Sequence, residues 1–369
     1  MTKPQFINPP VANATVPDYL RRGRGTPTNE SGRYENLKRE LVDDGWDGLA
    51  ELPKFATTVT RDTSRSIIAR NNSPDIFFDR SINPYRGCEH GCSYCFARPT
   101  HAYLGYSPGL DFETKLFAKP EAAQLLKAEL AKRGYKPAVI AMGTNTDPYQ
   151  PIEREWKITR SILEVLCEYR HPVTIVTKSY LITRDIDILA PMAARGLAKV
   201  ALSITTLDAK LARAMEPRAA TPTKRLEAVK ALSEAGIPTA VMVAPVIPAL
   251  NDSEIENILK AACAHGATEA GYVLLRLPLE IKDLFREWLE SAVPDKARHV
   301  MSLVRSTRAG KDYDANWAKR QTGEGAYAQL IAKRFALALK RYGLNKKRAK
   351  LDISQFTPPP ADERQLRLF

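Results

Sequence analysis

Three of the chain's five cysteines fall within eight positions, in the stretch NPYRGCEHGCSYCFARP (83–99). The spacing is Cys88-x3-Cys92-x2-Cys95. A thiolate triad of this kind suits zinc or an iron–sulfur cluster. Both normally take four protein ligands when the site is closed, and here there are three. A Cys3His zinc site would recruit His90 or His101, and an isolated zinc clip would use the cysteines alone. A four-iron cluster would use the three thiolates and leave one iron open to an outside ligand. Cys167 and Cys263 stand alone on helical patterns and read as small core residues. Five cysteines so distributed do not make a disulfide framework.

These thiols need a scaffold, and the surrounding sequence describes one. Strand patterns at PAVIAMG (137–143), PVTIVTK (172–178), AKVALSIT (198–205), PTAVMVAPVI (238–247) and GYVLLRL (271–277) alternate with segments whose apolar residues recur every three or four positions. With a strand placed just before the cysteines, this gives about six strand–helix units. Several helices open on an N-cap type of residue, such as Thr183 or Asp252. They close on Gly196, Gly236 and Gly266. Continuous apolar strands with helical crossovers imply a parallel α/β sheet, and a partial (β/α)6 barrel is favoured over a flat doubly wound one. Function should then lie at the C-terminal ends of the strands.

Those strand ends carry polar signatures. GTNTDPYQPIE (143–153) follows the second strand, where Gly143 permits close approach and Thr144, Thr146 and Asp147 offer donors and acceptors suited to an ammonium group. TKS (177–179) follows the third strand and SIT (203–205) ends the fourth. Lys178 and Ser203 are suited to holding a carboxylate or a ribose.

Taken together, CxxxCxxC with Tyr94 before the last cysteine, on the loop after the first strand, resembles the radical S-adenosylmethionine superfamily. GTNTDPYQPIE, TKS, EPR (216–218) and APVIPALND (244–252) resemble its spore photoproduct lyase-like branch over about residues 78–280. The resemblance implies a radical-SAM-type partial barrel, with Cys88, Cys92 and Cys95 holding a [4Fe–4S] cluster. The amino and carboxylate groups of S-adenosyl-L-methionine would occupy the fourth iron. Reductive cleavage would give a 5′-deoxyadenosyl radical, with electrons from a donor such as flavodoxin or ferredoxin. It further implies Tyr94 against the adenine; Gly143, Thr144 and Asp147 at the methionine moiety; and Lys178 and Ser203 nearby. The branch carries a further hydrogen-donating cysteine beyond the cluster and tyrosines on both sides of the last cluster cysteine. This chain has neither that cysteine nor the second tyrosine, which is Phe96, so the resemblance leaves the substrate open.

At 369 residues and 44% hydrophobic, the chain can bury a full core. Its net charge of +13 is concentrated in LRRGRG, Lys132-Arg133 and ALKRYGLNKKRAK (338–350), which points to an anionic partner, with nucleic acid the natural candidate. No apolar stretch of signal-peptide or membrane-spanning length is present, so a cytoplasmic protein is expected, nucleoid-associated if its partner is DNA. The expected organisation is an irregular extension (1–77), the barrel (78–293), a basic helical region (294–350) and a flexible Pro-rich tail (351–369). The tail ends in QLRLF and resembles the pentapeptide through which bacterial DNA polymerases and repair proteins dock on the sliding clamp. Gln365 would bond the groove edge, while Leu366, Leu368 and Phe369 fill an apolar pocket. The sequence thus supports a clamp-tethered radical enzyme repairing a DNA base lesion. A radical enzyme modifying RNA or protein, and a zinc-clipped nucleic-acid adaptor without catalysis, are the alternatives.

Overall fold

A computed structural model describes residues 16, 21–35, 56–345 and 350–359. The QLRLF segment lies outside the described residues. Six parallel strands form the central sheet: β1 (Arg80–Ile82), β2 (Ile140–Met142), β3 (Val173–Thr177), β4 (Ala198–Ser203), β5 (Thr239–Val246) and β6 (Glu269–Leu274). Their spatial order equals their sequence order, with the short strand Ile68–Arg70 added antiparallel beside β1. This is the expected (β/α)6 arrangement. In-register pairs Ile82↔Met142, Met142↔Ile175 and Ser203↔Met242 align the C-terminal ends of β1 to β5 along one rim.

The helices covering the sheet are α1 (Ala122–Leu130), α2 (Ile158–Glu168), α3 (Ile186–Ala194), α4 (Pro222–Glu234) and α5 (Ile255–Ala264). In α4, the Thr221 hydroxyl accepts from Lys224 N and Pro222 occupies the first turn, so both start signals are local. Gly196, Gly236 and Gly266 follow α3, α4 and α5 in the left-handed region, as the sequence predicts. Thr183 and Asp252 are not caps. Thr183 lies inside a 3-10 turn (Tyr180–Asp185) capped by Ser179, and Asp252 opens another 3-10 turn, so both helices begin with a tighter turn than the pattern predicts.

The N-terminal extension and the start of the tail are more structured than the sequence implies, while the region after the barrel is helical as expected. Residues 58–61 and 68–70 are strands; the first pairs in parallel with Lys115–Ala118 in a small second sheet that also contains Tyr85–Arg86. Three helices, α6 (Ile281–Ala292), α7 (Pro294–Ser306) and α8 (Gly325–Tyr342), follow β6. The last is part of the barrel core: Ile331, Phe335 and Ala338 are buried with the strand residues, and the Phe335 ring lies 4.8 Å from that of Tyr272 on β6. The beginning of the Pro-rich tail is docked. Asp352 N donates to Gly196 O at 2.9 Å, Thr357 N donates to Tyr169 O at 3.0 Å, and Phe356 packs on Tyr135 and His171. Those contacts sit at the N-terminal end of the sheet, opposite the rim. Cys167 and Cys263 are half-buried on α2 and α5 against the core. Among the described residues no helix is long and apolar enough to cross a membrane.

Because α8 completes the barrel core, Phe335→Ala should cost about 3–5 kcal/mol and lower the midpoint of a single cooperative denaturant transition. A separate early transition for the C-terminal helices would contradict this packing.

Candidate active site

The loop after β1 carries the three thiols without regular secondary structure, so its shape is set by hydrogen bonds from elsewhere. Two short turns gather the cysteines: Gly91 N donates to Cys88 O and Cys95 N to Cys92 O. Gly91 adopts φ +68, and a Cβ there would lie 2.7 Å from Glu113 Oε2, so both conformation and space demand glycine. Cys88 and Cys92 are buried and Cys95 half-buried. Burial pushes the Cys88 thiol well up, reinforced by Asp147 and the two other cysteines. Burial likewise pushes Cys92 up to about 12, opposed by Lys178 and reinforced by Glu216 and Cys95.

As thiolates the three sulfurs would disfavour one another, a setting that a cationic centre would relieve. Among the described residues no three His, Cys, Asp or Glu side chains converge on a single-ion site. A cluster whose thiolates bind different irons does not require such convergence. The two histidines weighed as zinc ligands are engaged otherwise. His90 Nδ1 is 3.3 Å from Asp147 Oδ2, and His101 Nε2 is 2.9 Å from Lys115 O, with its ring packed on Phe112.

Two buried ion pairs grip the loop. On one side the guanidinium of Arg98, fully buried, donates to Cys92 O at 2.9 Å and to Glu113 Oε1 at 2.5 Å. The Glu113 carboxylate also accepts from Gly25 N and Thr26 N, at 2.9 and 3.2 Å. Arg24, read from sequence as part of a basic nucleic-acid patch, is instead buried here and donates to Glu113 O at 3.0 Å. On the other side Glu216 accepts from the Tyr94 hydroxyl and from Thr205 Oγ1, and pairs with Arg225. Burial alone would raise the Glu216 carboxyl, but Arg225 and Lys178 outweigh it and hold it down to about 2.

Glu216 belongs to the EPR segment, whose neighbours complete the clamp. Ser93 N donates to Met215 O at 2.9 Å, Arg218 N donates to His90 O at 3.3 Å, and the Arg218 side chain pairs with buried Glu89. Arg225, Glu113 and Arg98 did not stand out in the sequence. The EPR triplet was visible there, but its partners are separated from it by as many as 129 positions.

The residues at the other strand ends lie around this loop. Lys178 Nζ donates to Ser203 Oγ at 3.2 Å and sits 5.8 Å from the centre of the Tyr94 ring. Ser203 Oγ itself donates to Ala244 O at 2.9 Å. Gly143 (φ +83) brings the second strand end against the third: a Cβ would lie 1.9 Å from Val176 O. Thr144 is half-buried, with no side-chain hydrogen bond among the described contacts.

Asp147 is bonded to several groups of the protein at this strand end. Its carboxylate accepts from Thr177 Oγ1 (2.7 Å), Lys178 N (2.8 Å) and Tyr149 N (2.9 Å), besides facing His90. Burial would raise it, but His90, the Lys178 amide and the Thr177 hydroxyl hold it down to about 2. It fastens two strand ends to the cysteine loop. Gln150, not singled out in the sequence, does the same: it accepts from Glu89 N and donates to Gly87 O, at 2.9 and 3.1 Å. Phe96 is 43% exposed, with the Arg276 guanidinium 4.8 Å from its centre.

A thiol-bearing loop thus sits at the C-terminal rim of a six-stranded partial α/β barrel. A family profile described as the radical SAM superfamily matches residues 82–262. An uncharacterized protein of Mycobacterium tuberculosis (strain ATCC 25618 / H37Rv) is 37% identical over 236 residues, which cover 63% of this chain and 69% of that protein. An uncharacterized protein of Methanocaldococcus jannaschii is 32% identical over 173 residues, covering 47% and 62%. In fold, the chain is similar to a solved mutant of spore photoproduct lyase, with a TM-score of 0.50 and 15% identity over 78% of this chain and 79% of that one. The chain belongs to the radical SAM superfamily. Its cofactors are a [4Fe–4S] cluster and S-adenosylmethionine, which decides among the metals that three cysteines alone leave open.

Removing one partner of a buried ion pair strands the other charge at a cost of about 3–5 kcal/mol. Glu216→Ala should therefore lower both thermal stability and the iron bound per chain after anaerobic reconstitution. Unchanged iron loading would mean that Glu216 does not hold the cysteine loop.

Proposed function

We propose that Cys88, Cys92 and Cys95 are the cluster ligands, and that the protein is a radical enzyme that repairs a base lesion in DNA. The observation that carries the reading is the arrangement of the rim: a three-thiol loop, Lys178 and Ser203 meet at adjoining strand ends, on a chain of strongly basic charge. When bound, the cluster and S-adenosylmethionine supply a 5′-deoxyadenosyl radical that abstracts hydrogen from a substrate.

This chain's own residues bind and orient. The Lys178 ammonium, held by Ser203 and lying near Tyr94, is placed to pair with a carboxylate or ribose of the cofactor. Gly143 lets the backbone approach the ligand, and Thr144 keeps a hydroxyl available to an ammonium group. Tyr94, only 6% exposed and anchored through its hydroxyl to Glu216, presents ring rather than hydroxyl to the site. DNA as substrate is supported by charge and by the likeness of motifs to the spore photoproduct lyase-like branch. The QLRLF segment, Gln365, Leu366, Leu368 and Phe369, would tether the enzyme to a bacterial sliding clamp, and a flavodoxin or ferredoxin would deliver electrons. That setting is cytoplasmic.

Anaerobically reconstituted protein should bind four irons and form 5′-deoxyadenosine on reduction. Replacing any one of the three cysteines by alanine should abolish both. Lys178→Ala should keep the iron and weaken S-adenosylmethionine binding by roughly ten- to a hundredfold, the worth of one charge-assisted hydrogen bond. Turnover with damaged DNA, followed by mass spectrometry, tests the substrate. A fully loaded enzyme that makes 5′-deoxyadenosine but alters no base in any damaged DNA would contradict DNA repair.

A further inference from the structure

Outside the rim, the loop joining strands 58–61 and 68–70 borders a shallow, open cleft of about 320 Å³ lined by Arg86, Lys119, Ser64 and the exposed Thr63, Arg65 and Ser66. Its chemistry is one-sided. Arg86 Nε donates to Asp62 Oδ2 at 2.6 Å, and Ser64 Oγ donates to Asp62 Oδ1 at 3.0 Å, so the one carboxylate lining the cleft is already paired. Arg65 and Lys119 have no ion-pair partner among the described residues. Arg65 is exposed on the loop, and Lys119 is half-buried beneath it. Burial lowers the Lys119 ammonium, and Arg86 lowers it further; Asp62 only partly offsets them. An anion in the cleft would relieve that cost.

The loop adds neutral donors. Ile67 N and Ile68 N are taken by Glu129, at 2.5 and 3.2 Å, while the hydroxyls of Thr63 and Ser66 make no hydrogen bond among the described contacts. Two unpaired cations, a third cation shared with one carboxylate, and free hydroxyls around a cavity of this size match the needs of a phosphate group. The position links the cleft to the site: Arg86 lies in the short strand that leads directly into Gly87 and Cys88, so an occupant would sit on the outer flank of the cysteine loop.

We propose that this cleft binds a backbone phosphate of the DNA substrate, anchoring the strand beside the barrel mouth. The proposal rests on the reading of the protein as a DNA-acting enzyme and adds a contact point distinct from the cofactor rim.

The test is anisotropy of a labelled single-stranded and a labelled duplex oligodeoxynucleotide, with RNA of the same sequence alongside, over a salt series on anaerobically reconstituted full-length protein. Arg65→Glu, on an exposed loop and without packing consequences, and the double variant Arg65→Ala/Lys119→Gln should each weaken DNA binding about tenfold. They should also flatten the log–log salt dependence by about one, the value of one neutralised phosphate. Formation of 5′-deoxyadenosine without DNA should be unchanged in both. The reference is Lys230→Ala, an exposed cation on α4 that should leave the DNA affinity and salt slope at wild-type values. Variants that bind DNA as tightly and with the same salt slope as wild type, or that lose only RNA, would overturn the proposal and leave the enzyme's function standing. Wild-type protein that makes 5′-deoxyadenosine but binds no DNA would overturn both the DNA reading and this cleft's role.

Discussion

The constraint on which the structure turns is that three thiols must be held in fixed relation by a loop that has almost no hydrogen-bonded structure of its own. The barrel meets it with buried charge. Glu216 paired to Arg225 takes the loop by the Tyr94 hydroxyl, and Glu113 paired to Arg98 takes it by the Cys92 carbonyl. Buried ion pairs are costly to desolvate, and replacing them with apolar groups is often neutral or stabilising. Their use here is positional: each carboxylate gathers several donors from distant parts of the chain at one point, which an apolar contact cannot do with the same directionality.

The consequence is that the loop draws on every part of the molecule. Asp147 and Gln150 after β2 and the EPR segment after β4 end on it, and the N-terminal residues Arg24 to Thr26 reach it through Glu113. Asn251 extends the same pattern further round the rim, donating to Thr205 O and Pro245 O, so that the ends of β4 and β5 are fixed relative to each other. The strand ends that would meet the cofactor are thereby set before any ligand arrives, which is how a site gains affinity through preorganisation.

What was legible in the sequence was what local pattern encodes. Strand positions followed from apolar runs, helix stops from glycine, and the chemical character of the cysteine loop from spacing. What was not legible depended on tertiary partners. The basic run LRRGRG read as part of a nucleic-acid patch, yet Arg24 is buried against Glu113, because charge type alone does not reveal whether a distant carboxylate exists. Asp147 was legible as a polar group at a strand end, but its bonds to Thr177, Lys178 and Tyr149 were not, because backbone and hydroxyl donors carry no sequence signature. Residues 352–357 read as the start of a free linker, yet Phe356 finds an aromatic pair, Tyr135 and His171, more than 180 positions away.

The central claim is that three protein thiolates leave one iron for S-adenosylmethionine. Electron paramagnetic resonance of the reduced, reconstituted protein with isotopically labelled S-adenosylmethionine tests it most directly. Hyperfine coupling from the labelled amino nitrogen and carboxylate of the cofactor to the cluster, lost in Cys92→Ala, is the predicted result. A cluster signal that S-adenosylmethionine leaves unchanged would contradict the account.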